Sequence, residues 1–144
     1  MIEWCDWLLT VQALPIAQPR RWGQGRFAHV PKQHPVHAYK AAVMVACREQ
    51  GPVVPVSGPV RLFMDFAFPR PKGHWTKKGA LTKGASECHV QRPDLDNIAK
   101  STMDAMTAAG VWGDDSQVVS LSLHKRWADA DEMPGVSIRL EVRG

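Results

Sequence analysis

Apolar residues recur along this chain at two different spacings, one of two positions and one of three to four. The two-position spacing is clearest over residues 59–68, which predicts a strand with one buried face. Its alternating apolar residues are Val60, Leu62, Met64, Phe66 and Phe68. Similar patterns predict strands over residues 7–14, 117–127 and 136–142. We expect the last two strands to form a closing β-hairpin with a longish loop.

The longer spacing predicts two helices. Residues 35–50 carry apolar side chains near a helical period, and Pro35 is tolerated in a first turn because no backbone donor is needed there. Residues 95–109 form a second apolar stripe, with Asp96 near its start and Gly110 as its stop. The order β-α-β-α-β-β predicts an α+β fold, a mixed sheet with two helices on one face.

The length of 144 residues favours a single domain over residues 1–144. Within it, residues 69–93 form a connection that is long for a compact domain, and such loops are usually functional or disordered. The many lysines of this loop favour a functional role.

The net charge of +4, from 18 Lys+Arg and 14 Asp+Glu, is too small to identify a nucleic-acid partner by itself. Its distribution is more informative, because a basic segment at residues 69–93 adjoins an acidic one at residues 94–116. Phosphate contacts are predicted for basic loop residues, namely Arg20, Arg21, Lys72, Lys77, Lys78 and Lys83. Solvated loop charge is the alternative explanation for all six.

Three cysteines without a CxxC pair suggest neither a disulfide framework nor a zinc ribbon, which fits a reducing cytoplasm. The N-terminal residues 1–7 lack a cationic start, and no apolar run is long enough to cross a bilayer. We therefore expect a cytoplasmic protein without a membrane partner.

The acidic segment holds the candidate chemistry. Asp94 and Asp96 lie two positions apart before a predicted helix, and Lys100 lies one helical turn after Asp96. Asp114 and Asp115 follow that helix, where a return to the sheet could bring one of them back to the first pair. Carboxylates in such a group can hold Mg²⁺, and bound Mg²⁺ promotes phosphodiester hydrolysis. Lys100 could contact the scissile phosphate or orient the attacking water.

Simpler explanations exist for each piece. Asp94 or Asp96 could cap the helix, Asp114 and Asp115 could form an ordinary turn, and Lys100 could pair with another acid on the helix, Asp104. Taken together the pieces favour a cation, since an acidic cluster is costly without one. A zinc site at His74, Cys88 and His89 is disfavoured because paired ligands at short spacings are missing. A restriction-type PD…(D/E)xK motif also fails, because Leu123 and His124 precede Lys125.

Two sequence segments form a specific combination. The first is Arg92-Pro93-Asp94-Leu95-Asp96-Asn97-Ile98-Ala99-Lys100. The second is Val111-Trp112-Gly113-Asp114-Asp115-Ser116-Gln117-Val118-Val119, followed by Lys125. Both closely resemble the RusA family of Holliday junction resolvases, which phages and prophages often carry. The Pro- and Arg-rich residues 15–21 resemble an early loop of that family more weakly.

The resemblance implies a homodimeric, Mg²⁺-dependent endonuclease that resolves four-way DNA junctions by paired symmetric nicks in recombination and repair, with Mn²⁺ as a substitute metal and no organic cofactor. It assigns the metal to Asp94, Asp96 and Asp115, with Asp114 as the less certain tandem residue, and catalytic assistance to Lys100. Arg92 and Lys125 join the DNA-contacting residues. The alternatives are a non-catalytic junction-binding or regulatory protein and a less selective metal-dependent nuclease.

Overall fold

The computed structural model describes residues 3–143. It contains two helices and four strands, with short 3₁₀ turns between them. In chain order these are β1 (Trp4–Val11), α1 (Val36–Gln50), β2 (Val60–Phe68), α2 (Leu95–Ala108), β3 (Val118–Trp127) and β4 (Gly135–Arg143). The predicted α+β class and element order are confirmed, and the predicted boundaries differ by a few residues, most at β1.

The strands form one mixed sheet in the order β1-β4-β2-β3. Strand β4 pairs antiparallel with both β1 and β2, whereas β2 and β3 run parallel. A parallel pair needs a crossover connection, and α2 supplies it between β2 and β3. Consequently α2 runs back along the sheet, opposite in direction to the strand that follows it.

The predicted closing hairpin is wrong. Strands β3 and β4 follow each other in sequence, but β2 lies between them in the sheet. The physical reason is the crossover through α2, which carries the chain back so that β3 pairs parallel with one side of β2. Strand β4 then pairs antiparallel with the other side of β2. Alternating apolar residues identify a strand but do not identify its neighbours.

The helices cover one face of the sheet, and the core lies between them. Strand β2 sends Leu62, Met64 and Phe66 into this core, all at most 2% exposed. The helices are joined by a buried hydrogen bond of 2.6 Å between the Tyr39 hydroxyl on α1 and Thr102 Oγ1 on α2. Burial raises the pKa of Tyr39 above its usual range. Residues on the open face of the sheet, such as Leu8 at 72% exposed, lack such cover.

Both ends of α2 are defined by the local sequence. Asp94 occupies the N-cap in an extended conformation. At the other end Gly110 has φ of 78°, a left-handed conformation that glycine adopts without steric cost. The backbone N–H groups of Gly110 and Val111 donate to the carbonyls of Thr107 and Met106, which completes a Schellman cap. The helix therefore has fixed ends, and the residues flanking it have fixed positions.

The long loop at residues 69–93 has internal structure. A 3₁₀ turn spans Lys72–His74, an isolated bridge joins Trp75 to Leu81, and Arg70 donates to the carbonyl of Ser86 at 2.7 Å.

Among residues 3–143, neither helix combines the length and the apolar character that a membrane span requires.

Candidate functional site

The start of α2 presents two carboxylates and a cation to solvent. Asp94 and Asp96 are both exposed, and the N-cap side chain of Asp94 makes no capping hydrogen bond. Lys100 is exposed one turn further along. The ion pairs found within residues 3–143 do not include any of these three side chains. Their charged atoms are therefore available to a cation or a phosphate.

Lys125 holds the backbone that leads into this group. It lies near the end of β3, and its Nζ donates to the carbonyls of Gln91 at 2.8 Å and Pro93 at 2.9 Å. Two of the three ammonium donors are therefore used inside the chain. The predicted DNA contact of Lys125 stays a prediction, and the structure adds a positioning role immediately before Asp94.

The turn after α2 is organised by side chains of the tandem-aspartate motif. Asp114 is the N-cap of a 3₁₀ turn over Asp115–Gln117, and its Oδ2 accepts from the N–H of Ser116 at 3.1 Å. The Ser116 hydrogen bonds lower the pKa of Asp114. Asp114 therefore has a structural task. Asp115 is exposed and does not serve as the cap.

Gln117 braces the same turn with both ends of its amide. Its Oε1 accepts from the N–H groups of Gly113 at 2.9 Å and Asp114 at 3.2 Å. Its Nε2 donates to the carbonyls of Val56 at 2.9 Å and Gly58 at 3.0 Å. Sequence reasoning included Gln117 in the motif without giving it a role. The structure shows that it ties the tandem aspartates to the segment before β2.

The two acidic groups, Asp94 with Asp96 and Asp114 with Asp115, lie at opposite ends of α2. The helix has 14 residues, so its ends are about 20 Å apart at 1.5 Å per residue. Two ligands of one Mg²⁺ ion each lie about 2 Å from it, so their oxygens are about 3 to 4 Å apart at most. Within residues 3–143 of a single chain, accordingly, no group of three or more His, Cys, Asp or Glu residues is placed to hold a metal.

The expectation that the turn after α2 would bring Asp115 or Asp114 back to Asp94 and Asp96 is therefore wrong for one chain. The reason is the parallel crossover, because β3 begins at the far end of the sheet and only its last residues return to the start of α2. The metal-binding roles of these residues stay predictions.

The remaining candidates separate into packing and surface residues. Asp104 does not pair with Lys100 but lies 3.8 Å from Lys40 Nζ on α1. His89 is buried at 7% exposed, stacked on Trp127 with ring centroids 4.0 Å apart. Burial, followed by the charge of Lys125, lowers the pKa of His89. This aromatic contact was missed from the sequence.

The predicted DNA-contacting residues lie mostly in two loops, one of which is attached to the start of α2. The loop at residues 15–19 is fixed to α2, because Gln18 N–H donates to the Asn97 carbonyl at 3.1 Å and Ser101 Oγ donates to the Ile16 carbonyl at 2.6 Å. The basic residues after it and in the 69–93 loop are exposed: Arg20, Arg21, Lys72, Lys77, Lys78, Lys83 and Arg92. Their DNA contacts stay predictions.

Comparison with known proteins identifies the family. The family described as Endodeoxyribonuclease RusA matches residues 13–141, nearly the whole described chain. The chain belongs to the RusA family. This match includes both acidic groups of the RusA domain, the two basic loops and all the elements except β1 and the end of β4.

Individual relatives match over a shorter stretch. The crossover junction endodeoxyribonucleases RusA of Enterobacteria phage 82, Escherichia coli K12 and Shigella sonnei Ss046 are each 50% identical to this chain over 42 residues. The aligned stretch covers 27% of this chain and 35% of each relative. The similarity to these RusA proteins thus spans about a third of their length.

Proposed function

We propose that this protein is a Mg²⁺-dependent endodeoxyribonuclease that nicks crossover junctions in DNA recombination and repair. The observation that carries the proposal is the start of α2, where Asp94 and Asp96 are exposed near Lys100 and take part in none of the ion pairs of residues 3–143, in a chain of the RusA family. The names of the relatives, crossover junction endodeoxyribonucleases, support the substrate class.

The exposed carboxylates fit a hard cation, because Mg²⁺ prefers oxygen ligands and keeps several of its waters. Bound there, the ion would supply an activated water and stabilise charge on the phosphate oxygens. The chain itself contributes Lys100, whose ammonium group can contact the non-bridging oxygens of a phosphate next to Asp96. Lys125 keeps the backbone at Pro93 in place, so that the carboxylate of Asp94 is positioned before substrate arrives.

We further propose that the enzyme is a homodimer and that each metal site draws on two chains. Asp115 is too far from Asp94 and Asp96 to share a metal with them in one chain. A second copy can supply it if the copies meet along an antiparallel edge. Strand β3 offers such an edge, because it pairs only with β2 within the described sheet.

Side chains on β3 support this interface. Val119 is 64% exposed and Leu121 is 42% exposed, an apolar strip on an edge strand that would otherwise invite uncontrolled pairing. In a two-fold pair of β3 strands the chains run in opposite directions. The Asp115 end of one strand then lies beside the Lys125 end of the partner strand, where the partner's α2 begins. Both copies gain a complete acidic group in the same way.

The cutting reaction is tested with Asp96→Asn and a labelled four-way junction. The wild-type protein should nick the junction symmetrically in Mg²⁺ or Mn²⁺, and prefer it over linear duplex of the same sequence. Asp96→Asn should reduce the rate at least about 100-fold, since losing a metal ligand removes about 3 kcal/mol of transition-state stabilisation. Asp104→Asn, on the same helix but paired with Lys40, is the matched control and should retain activity.

Equal cleavage by Asp96→Asn and wild type would contradict the proposed site. Binding of the junction in EDTA without nicking after metal is added would instead indicate a non-catalytic junction-binding protein. Similar rates on junction and linear duplex would indicate a less selective nuclease.

The interface is tested by sedimentation. Leu121→Lys should convert the dimer to a monomer, because it places a charge on each side of the two-fold axis. Val53→Lys is the control, since Val53 is fully exposed and lies outside the sheet. A wild-type monomer at micromolar concentration, or an unchanged dimer in Leu121→Lys, would refute the β3 interface.

A further inference from the structure

An open cavity of about 750 Å³ lies beside the start of α2. It is bounded by residues 14–19, residues 69–72 and residues 91–93, together with His34, His89 and the residues at the ends of β2 and β3, Phe68 and Trp127. Much of its wall is proline, which has a fixed φ and no N–H: Pro15, Pro19, Pro69, Pro71 and Pro93. Walls of this kind are apolar and rigid, and a rigid site loses little conformational entropy when a ligand binds.

The base of the cavity is aromatic. His89 stacks on Trp127 at 4.0 Å between centroids and meets Phe68 edge-on at 4.8 Å. The indole N–H of Trp127 donates to the carbonyl of Cys88 at 3.2 Å, which fixes the ring within the 69–93 loop. Flat apolar ligands pack well against such surfaces.

Two buried polar atoms on this cavity make no hydrogen bond within the described chain. They are Oε1 of Gln18 and Nδ1 of His89. His89 is more than nine-tenths buried, and a buried polar atom without a hydrogen-bond partner destabilises the protein. Burial, followed by the charge of Lys125, lowers the pKa of His89 and so favours the neutral imidazole, in which one nitrogen donates and the other accepts. A ligand with donors and acceptors on its edge can satisfy both side chains.

The charge of the cavity favours a ligand that is attached to phosphates. Arg70, Lys72 and Arg92 contribute to its lining, and the lining contains no Asp or Glu. Arg70 is held in place by its 2.7 Å hydrogen bond to the Ser86 carbonyl. A neutral flat group with phosphates on either side matches an apolar interior with a cationic rim.

The cavity is physically continuous with the candidate nuclease site. Pro93 lines it and is followed directly by Asp94. Gln18, which also lines the cavity, donates its backbone N–H to the carbonyl of Asn97 in the first turn of α2. A strand whose phosphate lies at Asp94 and Asp96 would therefore present a neighbouring nucleotide to the cavity.

We propose that this cavity receives one unpaired nucleobase of the DNA strand being cut, and that Gln18 and His89 read its edge. The inference rests on the proposed nuclease function and extends it, because it assigns the preferred cleavage sequence to named residues. Branched DNA lowers the cost of taking a base out of the stack, since stacking at a branch point is already interrupted. The cavity volume lies within the range of sites that enclose small organic groups.

The test uses junctions with 2-aminopurine at successive positions around the cleavage point. Binding is measured in EDTA, so that no cutting is needed. For wild type, emission should increase several-fold at one position next to the scissile phosphate, since a base leaving the stack is no longer quenched. Gln18→Leu and His89→Phe should reduce this increase, and His89→Phe keeps an aromatic ring against Trp127. Gln24→Leu, an exposed glutamine outside the cavity, is the matched control and should behave as wild type.

Cleavage mapping provides a second measurement. On junctions that vary the base at that position, wild type should prefer one base by about tenfold, the usual value of a good base-edge contact. Gln18→Leu or His89→Phe should cut the alternatives with nearly equal rates while keeping the wild-type melting temperature within a few degrees. Loss of preference in either folded variant supports the proposal.

An emission increase that is absent in wild type, or unchanged in both variants, would overturn the base-binding role. The outcome is separable from that of the proposed function. Nicking without any emission change refutes the cavity proposal and leaves the nuclease intact, whereas the expected emission pattern without nicking supports the cavity and refutes the nuclease.

Discussion

Mixing two inactive variants, Asp96→Asn and Asp115→Asn, is expected to restore cleavage. The reason is the separation of about 20 Å between the ends of the 14-residue α2, which prevents one chain from offering both carboxylates to a single Mg²⁺. In a mixed dimer, one site combines both substitutions. The other site combines Asp94 and Asp96 of one chain with Asp115 of its partner, and all three are native.

The fraction of cleavage activity that is recovered can be calculated from the fraction of mixed dimers. Random assortment of equal amounts makes about half of the dimers mixed, and each mixed dimer has one intact site of two, so about a quarter of the sites are active. The variants are unfolded and refolded together to exchange subunits, then assayed on the labelled junction. Because a mixed dimer cuts at one site only, its products should be single nicks rather than paired ones.

Each variant refolded alone is the control and should stay inactive. If the mixture also stays inactive while a tag on each variant proves that mixed dimers have formed, both carboxylates act from the same chain. That result would refute the two-chain site without refuting metal-dependent cleavage.

Three further results are expected. Gln117→Leu removes four hydrogen bonds from the turn before β3, so the free energy of unfolding in urea should fall by about 1 to 3 kcal/mol, and an unchanged midpoint would contradict the bracing role. Lys125→Met should raise the Mg²⁺ concentration for half-maximal nicking, because Pro93 is no longer held; weaker junction binding with unchanged Mg²⁺ dependence would instead indicate a phosphate contact. The hydrogen bonds with Arg126 lower the pKa of Glu132 to about 2. The ionised carboxylate therefore stabilises the fold at neutral pH, and this stabilisation is lost as the pH falls from about 4.5 to 2. Glu132→Gln should lower the free energy of unfolding by about 1 kcal/mol at pH 7, because solvent screens this pair, and should leave it unchanged near pH 2. An equal loss at both pH values would rule out the ion pair as its cause.

The parts of the fold that depend on local patterns could be predicted from the sequence. Alternation located β2, and the glycine at Gly110 marked the end of α2, because both signals act over a few residues. The pairing of β3 was predicted wrongly, since nothing within residues 118–127 specifies the neighbouring strand. The helix between β2 and β3 was the usable signal, because a strand, helix and strand in succession favour a parallel pair.

In the candidate site too, local groupings could be predicted from the sequence and long-range contacts could not. Asp94, Asp96 and Lys100 were grouped correctly at one helix end because their spacing is local. The position of Asp115 depends on the direction in which α2 crosses the sheet, which its own sequence does not record. The contact of His89 with Trp127 joins residues that are far apart in the chain, so no periodicity could have revealed it.

The crossover places the acidic groups at opposite ends of α2, and this would make the proposed cutting depend on protein concentration. If each site needs two chains, then below the dimer dissociation constant the number of active sites grows with the square of the amount of protein. A few copies in a cell would leave branched DNA untouched, and a modest rise in expression would switch on cleavage steeply. The direction of one helix would thus keep the nuclease inactive until its concentration approaches the dimer dissociation constant.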